Sequence, residues 1–96
     1  MAVKILIKRK IKPGTLKDAS ALLIQARKNA MLNDGYISTE TLVDHNDPNI
    51  ITVVSMWQKK ENWDNYIASA VRQGNEQKFA PILNGETVYE IYNMGM

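Results

Sequence analysis

Apolar and basic residues alternate near the start of the chain, where Val3, Ile5, Ile7 and Ile11 interleave with Lys4, Lys8, Lys10 and Lys12. That period of two belongs to a half-buried strand. Pro13 and Gly14 break it, and Thr15 with Asp18 reads as a capping box that satisfies exposed amides at a helix start. The helix that follows carries Leu16, Ala19, Leu23, Ala26 and Ala30 as one apolar stripe, with Lys17, Gln25 and Lys28 outside it. Such a stripe covers a sheet face. Asn33, Asp34 and Gly35 supply the stop, because glycine accepts the left-handed conformation that commonly ends a helix.

A second strand begins near Tyr36 and runs through Ile37, Thr39, Thr41 and Val43 to His45, and Asn46-Asp47-Pro48-Asn49 reads as a hairpin turn into a third. That third strand, Ile50 to Trp57, is apolar on both faces. A strand hidden on two sides needs cover where the helices leave the sheet bare, and a second copy of so short a chain is the economical cover. Lys60 to about Ala70 reads as a helix with Trp63, Ile67 and Ala70 inward and Tyr66 beside them. Gly74 interrupts the pattern, a second short helix carries Val71 to Phe79 before Pro81 ends it, and Val88 to Tyr92 is a last, aromatic-rich strand. The order predicts an α+β fold, a ferredoxin-like antiparallel sheet (βαββαβ) with helices on one face, in a single domain over residues 1–96.

Composition narrows the function classes. With 96 residues, 45% hydrophobic and 23% charged, the chain has the ordinary globular mixture, and its small size makes oligomerisation a live expectation. There is no cysteine, which removes disulfides, thiolate metal sites and cysteine nucleophiles. The apolar run Met1 to Ile7 is too short for a signal peptide and nothing later approaches a membrane span, so no membrane role and a cytoplasmic location are expected. The net charge is only +2, with the excess in Lys4, Lys8, Arg9, Lys10, Lys12 and Lys17. No aromatics interleave with these and no nucleic-acid motif accompanies them, so they read as a solvated strand face or a pocket rim, and nucleic acid is not expected as a partner. The glycines are too scattered for a phosphate loop and no nucleophile elbow is present.

The chain resembles the antibiotic biosynthesis monooxygenase (ABM) family within the dimeric α+β barrel superfamily. The likeness covers nearly the whole chain: Lys12-Pro13-Gly14-Thr15, Gly35-Tyr36, Asp47-Pro48-Asn49, Ser55-Met56-Trp57, Asn62-Trp63 and the closing Val88-Tyr89-Glu90-Ile91-Tyr92. It implies a homodimer whose two sheets form a barrel, with a pocket in each subunit between sheet and helices. It also implies activity classes: cofactor-independent monooxygenation of aromatic phenols, quinol oxidation, haem degradation, or none. The haem-degrading branch uses a strand-one Asn, a helix Trp and a His iron ligand, and the matching places here hold Ile7, Tyr66 and Glu76. Glutamate is a poor substitute for imidazole at haem iron, so haem degradation is set aside.

Oxygenation without metal or flavin needs an electron-rich substrate anion and a protein that deprotonates or cradles it in a dry pocket. His45, the only histidine, is the natural titrating base, yet its place beside a turn reads as an exposed loop position. No metal site is expected from a lone histidine without cysteine. Trp57, Trp63 and Tyr66 read either as a platform for a flat ligand or as ordinary core. The candidate catalytic residues are Tyr66, Arg72 and Asn75, the last two as donors to a phenolate or carbonyl oxygen or, alternatively, as a solvated helix end. Ile5 and Ile7 form the expected pocket floor, Trp57, Asn62, Trp63 and Phe79 its walls, and Glu76 a base only if burial raises its pKa. Two hypotheses follow: a cofactor-independent monooxygenase for a small aromatic, quinone-like, quinol or polyketide-like molecule, and a non-catalytic ligand-binding or assembly module whose pocket is packed shut by Trp63, Tyr66 and Phe79. Neither calls for a cofactor.

Overall fold

The computed structural model describes residues 1–95. The elements are β1 (Val3–Lys10), α1 (Leu16–Met31), β2 (Tyr36–Val43), β3 (Ile50–Trp57), α2 (Lys60–Ile67), α3 (Ala70–Phe79), a short 3-10 turn (Ala80–Ile82) and β4 (Val88–Asn93). The strands form one sheet in the order β2-β3-β1-β4, every neighbouring pair antiparallel. This is the α+β ferredoxin-like arrangement that the alternation of strands and helices predicts.

The period of two in β1 decides what lies under the helices. Val3, Ile5, Ile7 and Arg9 are all buried on one face, while Lys8 and Lys10 are exposed on the other. In β3 the buried set is Ile51, Val53, Ser55 and Trp57. Pairing of Ile5 with Ser55 and of Ile7 with both Val53 and Tyr89 puts these residues on the helix side. Trp57, Phe79, Ile5 and Ile11 are the largest fully buried side chains; each stabilises the fold by roughly 1.5–3 kcal/mol relative to exposure. Beyond β1 the chain stays tied to the sheet, with Ile11 bridging Leu83 and Asn84 donating its amide to the Lys10 carbonyl at 2.8 Å.

Three local expectations are corrected. Thr15 does precede α1, but its hydroxyl donates to the Lys12 carbonyl at 2.6 Å and no side chain caps the helix. The turn outcompetes the capping box because Pro13 and Gly14 bend the chain so that the Lys12 carbonyl accepts both the amide of Thr15, at 3.2 Å, and its hydroxyl. Gly74 does not break a helix; it sits inside α3, and the break falls earlier, at Ser69, whose hydroxyl oxygen accepts the Arg72 amide at 3.2 Å. β2 ends at Val43 instead of reaching His45, because the Asp44 carboxylate accepts the amides of Asn46 and Asp47 and turns the chain.

Gly35 has φ of +81°, and a Cβ there would lie 2.1 Å from Cγ of Asn62. Both features demand glycine. The same close approach sets the start of α2 against the start of β2 and orients the aromatic residues that α2 carries.

The outer sheet face has no helix over it. Its central positions, Leu6, Ile50, Val54 and Met56, are half-buried, and Leu42, Val88 and Tyr92 at its margins are exposed. Lys8 and Glu90 pair there at 2.9 Å, and that contact raises the Lys8 pKa, first through the hydrogen bond and then through the charge of Glu90.

Candidate functional site

Between the sheet and the helices the interior divides in two. Toward the start of β2 it is solid aromatic packing. Trp57 stacks on Tyr66 with ring centres 5.2 Å apart, meets Tyr36 edge-on at 5.7 Å and contacts Trp63 at 6.2 Å. The indole N–H of Trp57 donates to the Ser55 hydroxyl at 2.8 Å, so the one polar atom of that ring is satisfied. Trp63 also reaches Tyr89 of β4 at 6.2 Å.

Next to it lies a cavity of about 30 Å³, lined by Ile7, Leu23, Ala26, Ala30, Val53 and Trp63 on its apolar side and by Arg9, Arg27, Thr39, Ser55, Tyr66 and Arg72 among its polar residues. A volume of this size holds about one or two water molecules. No acidic residue lines it.

Arg9 comes from the buried face of β1, Arg72 and Glu76 from successive turns of α3. The Arg9 guanidinium donates to a Glu76 carboxylate oxygen at 2.5 Å, and Arg72 approaches the same oxygen at 3.3 Å. Arg72 also donates to the Tyr89 hydroxyl at 2.8 Å, and Arg9 lies 4.3 Å over the ring of Phe79. Two guanidiniums thus share one carboxylate, which leaves the cluster with a net positive charge. Arg9 is 3% exposed and Arg72 6%, so solvent screens little of it. The Nε–H of Arg9 finds no acceptor among the described residues. A buried charged donor left unpaired costs about 1–3 kcal/mol or more. Structures keep such a group where something else supplies the partner.

Tyr66 donates to the Ala26 carbonyl at 3.3 Å, and burial pushes its phenol up from the ordinary value, with the charge of Arg72 opposing. At neutral pH it is therefore a protonated donor and not a base. On the opposite wall Arg27, on the exposed side of α1, reaches across to donate to the Thr39 carbonyl of β2.

Of the residues singled out in the sequence, Ile7, Trp63, Tyr66 and Arg72 line this cavity. Ile5, Trp57 and Phe79 are core around it, and Glu76 holds Arg9 and Arg72. Asn62 packs against Gly35 instead. Asn75 is buried, ties α3 to α1 by donating to the Leu22 carbonyl at 3.2 Å, and does not line the cavity. Arg72 and Asn75 are thus not a solvated helix end, because α3 turns both under α1 and the sheet. His45 is exposed in the turn after β2. No group of three His, Cys, Asp or Glu able to hold a metal exists among the described residues.

Sequence reading missed Arg27, Thr39 and Ser55, and took Arg9 only as one of the basic residues of a solvated strand face or a pocket rim. The signal for Arg9 was present: its position shares the parity of Val3, Ile5, Ile7 and Ile11, so it had to point inward, yet its lysine neighbours made it look like part of a solvated run.

No protein-family model matches the chain, and no curated protein matches it in sequence. Solved structures do match in fold. A conserved protein from Methanosarcina mazei Go1 superposes with TM-score 0.92 at 20% identity, covering 99% of this chain and 94% of the other. A candidate antibiotic biosynthesis monooxygenase from Nitrosomonas europaea gives TM-score 0.90 at 10% identity, covering 97% and 89%. SnoaB, a cofactor-independent oxygenase from Streptomyces nogalater, gives 0.88 at 7% identity, covering 99% and 94%. At these identities the likeness speaks for architecture alone. The chain has the α+β ferredoxin-like fold of the antibiotic biosynthesis monooxygenase structures.

Proposed function

We propose that the protein is a cofactor-independent monooxygenase of a small aromatic or quinol substrate, whose anionic oxygen occupies the cavity between sheet and helices, a space large enough for that oxygen and not for the ring. The observation that carries this reading is the buried, positively charged Arg9–Glu76–Arg72 cluster, whose two arginines line the cavity and in which the Arg9 Nε–H has no partner among the described residues. A phenol or quinol reacts with dioxygen as its anion, and a guanidinium in a water-poor site stabilises that anion far more than it does in water. Arg9 and Arg72 hold the anionic oxygen, and Tyr66, whose one O–H is given to the Ala26 carbonyl, lines the wall beside them. Glu76 fixes the two guanidiniums and is a positioning residue. The fold shared with SnoaB supports the same reading.

The working form is a homodimer of this one domain in the cytoplasm. Its support is the half-buried apolar centre of the outer sheet face, Leu6, Ile50, Val54 and Met56, which a second copy would cover symmetrically. Sedimentation checks it: a monomer at micromolar concentration contradicts the barrel. No helix among the described residues is long and apolar enough to cross a membrane.

Oxygen uptake with a panel of phenols and quinols, in chelator and without flavin, tests the activity. With no external reductant the substrate supplies all four electrons, a phenol going to the quinone (phenol + O2 → quinone + H2O), so one oxygen atom should enter the product as the new carbonyl and the other leave as water; Arg9→Gln should abolish uptake without unfolding the protein. A second reading, a non-catalytic binding module, is favoured by the small cavity volume. It predicts a ligand that raises Tm and is never turned over.

A further inference from the structure

The chain joins an asparagine to a glycine once, at Asn84-Gly85, and an aspartate to a glycine once, at Asp34-Gly35. In either dipeptide the glycine nitrogen can attack the side-chain carbonyl carbon before it, because glycine has no side chain to hinder the rotation that brings the two atoms together. Ring closure to a succinimide then depends on how firmly the surrounding structure holds the backbone.

The two dipeptides sit in opposite surroundings. Gly35 is wedged against Asn62, its carbonyl accepts the Gln58 amide at 2.8 Å, and the next amide, of Tyr36, donates to the Asn33 carbonyl at 3.3 Å. That turn is fixed on both sides. Asn84 and Gly85 are exposed and belong to no helix or strand, and a Cβ on Gly85 would meet nothing within 4 Å. The Asn84 amide is anchored to the Lys10 carbonyl at 2.8 Å, but the chain beyond it is not: the β1–β4 ladder resumes only at the Lys8–Val88 pair, which leaves 85–87 outside it. Asn84 and Gly85 also border an open recess of about 490 Å³, which gives the side chain room to swing.

We propose that Asn84 is a site of spontaneous deamidation in the folded protein, and that the isoaspartate formed there is a substrate for a carboxyl methyltransferase that recognises isoaspartyl groups. The Gly85 nitrogen, losing its proton to a solvent base, bonds to Cγ of Asn84; the bond from Cγ to the side-chain nitrogen breaks, and that nitrogen leaves as ammonia. Water opens the succinimide at either carbonyl, giving aspartate or isoaspartate. No oxidation is involved and water is the only co-reactant. In the isoaspartyl product the main chain runs through Cβ and Cγ, longer by a methylene, and 85–87 absorb the extra length without shifting the register of β4 on β1. Either product brings a new carboxylate to the wall of a recess that Lys8, Lys10 and Glu86 also line.

The test incubates the intact protein at mildly alkaline pH in heavy-oxygen water and locates the incorporated oxygen by peptide mass spectrometry, with the chain unfolded in guanidinium as reference. Samples are also offered to a purified isoaspartyl methyltransferase with a labelled methyl donor. Residue 84 should take up heavy oxygen at rates within about three-fold of each other in the folded and unfolded chains, since its reaction needs no local opening. Asp34 should react at least about ten-fold more slowly when folded, since its turn must open first. Asn84→Gln, whose ring closure is slower, should fold as the parent does and lose both the oxygen label at 84 and most of the methyl transfer. No label at residue 84 in the folded protein, or protection of Asn84 by the fold as strong as that of Asp34, overturns the proposal. Label at 84 without methyl transfer, or methyl transfer undiminished in Asn84→Gln, overturns the assignment of isoaspartate to this position.

Discussion

The two halves of the space under the helices are built from neighbouring positions of the same strands, yet they obey different rules. In the half around Trp57, each ring lies against another and the buried indole N–H has a partner two residues away. In the half around Arg9, two buried cations share one carboxylate, a donor is unpaired and a void remains. The first half is what a fold needs to be stable. The second departs from that solution, and the departure is concentrated on one strand face, which is how a binding site differs from a core.

That contrast can be broken by mutation. The largest expected effect is Trp57→Ala, which removes the centre of the aromatic half and should cost about 3–5 kcal/mol in chemical denaturation; a loss below 1 kcal/mol would mean that this half is not the core. Glu76→Gln comes next. It leaves two guanidiniums facing each other with reduced compensation, and should cost about 2–3 kcal/mol while strengthening, not weakening, the affinity for a bound anion. Ser55→Ala strands the Trp57 N–H without removing any ring contact, and should cost about 1–2 kcal/mol with the aromatic near-UV circular dichroism preserved.

The smallest effect sharpens the role of Tyr66. Its folded-state pKa lies above the unfolded value because burial disfavours the phenolate. The stabilisation linked to keeping it protonated is therefore complete below the unfolded pKa near 10 and is lost as pH rises from there through the folded value. Tyr66→Phe should change stability at neutral pH by under about 1 kcal/mol, since the bond to Ala26 is long, and should flatten the alkaline fall. An unaltered pH profile would place Tyr66 outside the buried site.

Much of the fold was legible because it rests on periodicity. The alternation in β1, the apolar run of β3 and the stripe of α1 carry the sheet and its helical cover; β1 and β3 each bury one face in the structure, and of the α1 stripe Ala19 and Ala30 are buried while Leu16 is exposed. What was not legible depended on competition or on distance. The Thr15 hydroxyl donates to the Lys12 carbonyl and does not accept a helix amide, and Ser69 could be recognised as a cap only once Gly74 was seen to sit within α3. Within the site, Tyr66, Trp63, Arg72 and Ile7 could be anticipated from their places on helix and strand. Arg27 could not, because its partner is a backbone carbonyl of another element, and no local pattern on α1 announces that contact. Arg9 lay between the two cases, readable by parity and hidden by composition.

Anion binding at this site requires the Nε–H of Arg9 to be a buried donor held free for the ligand. Nitrogen-15 NMR of the arginine Nε–H groups, with the Arg9 signal identified by its loss in Arg9→Lys, observes that atom directly. A slowly exchanging resonance is expected, one that moves downfield and sharpens when the aromatic carboxylate 2-naphthoate is added and stays in place with its neutral amide, 2-naphthamide. An Arg9 signal that exchanges as fast as a surface arginine, or one that ignores the carboxylate while the probe binds elsewhere, would contradict it.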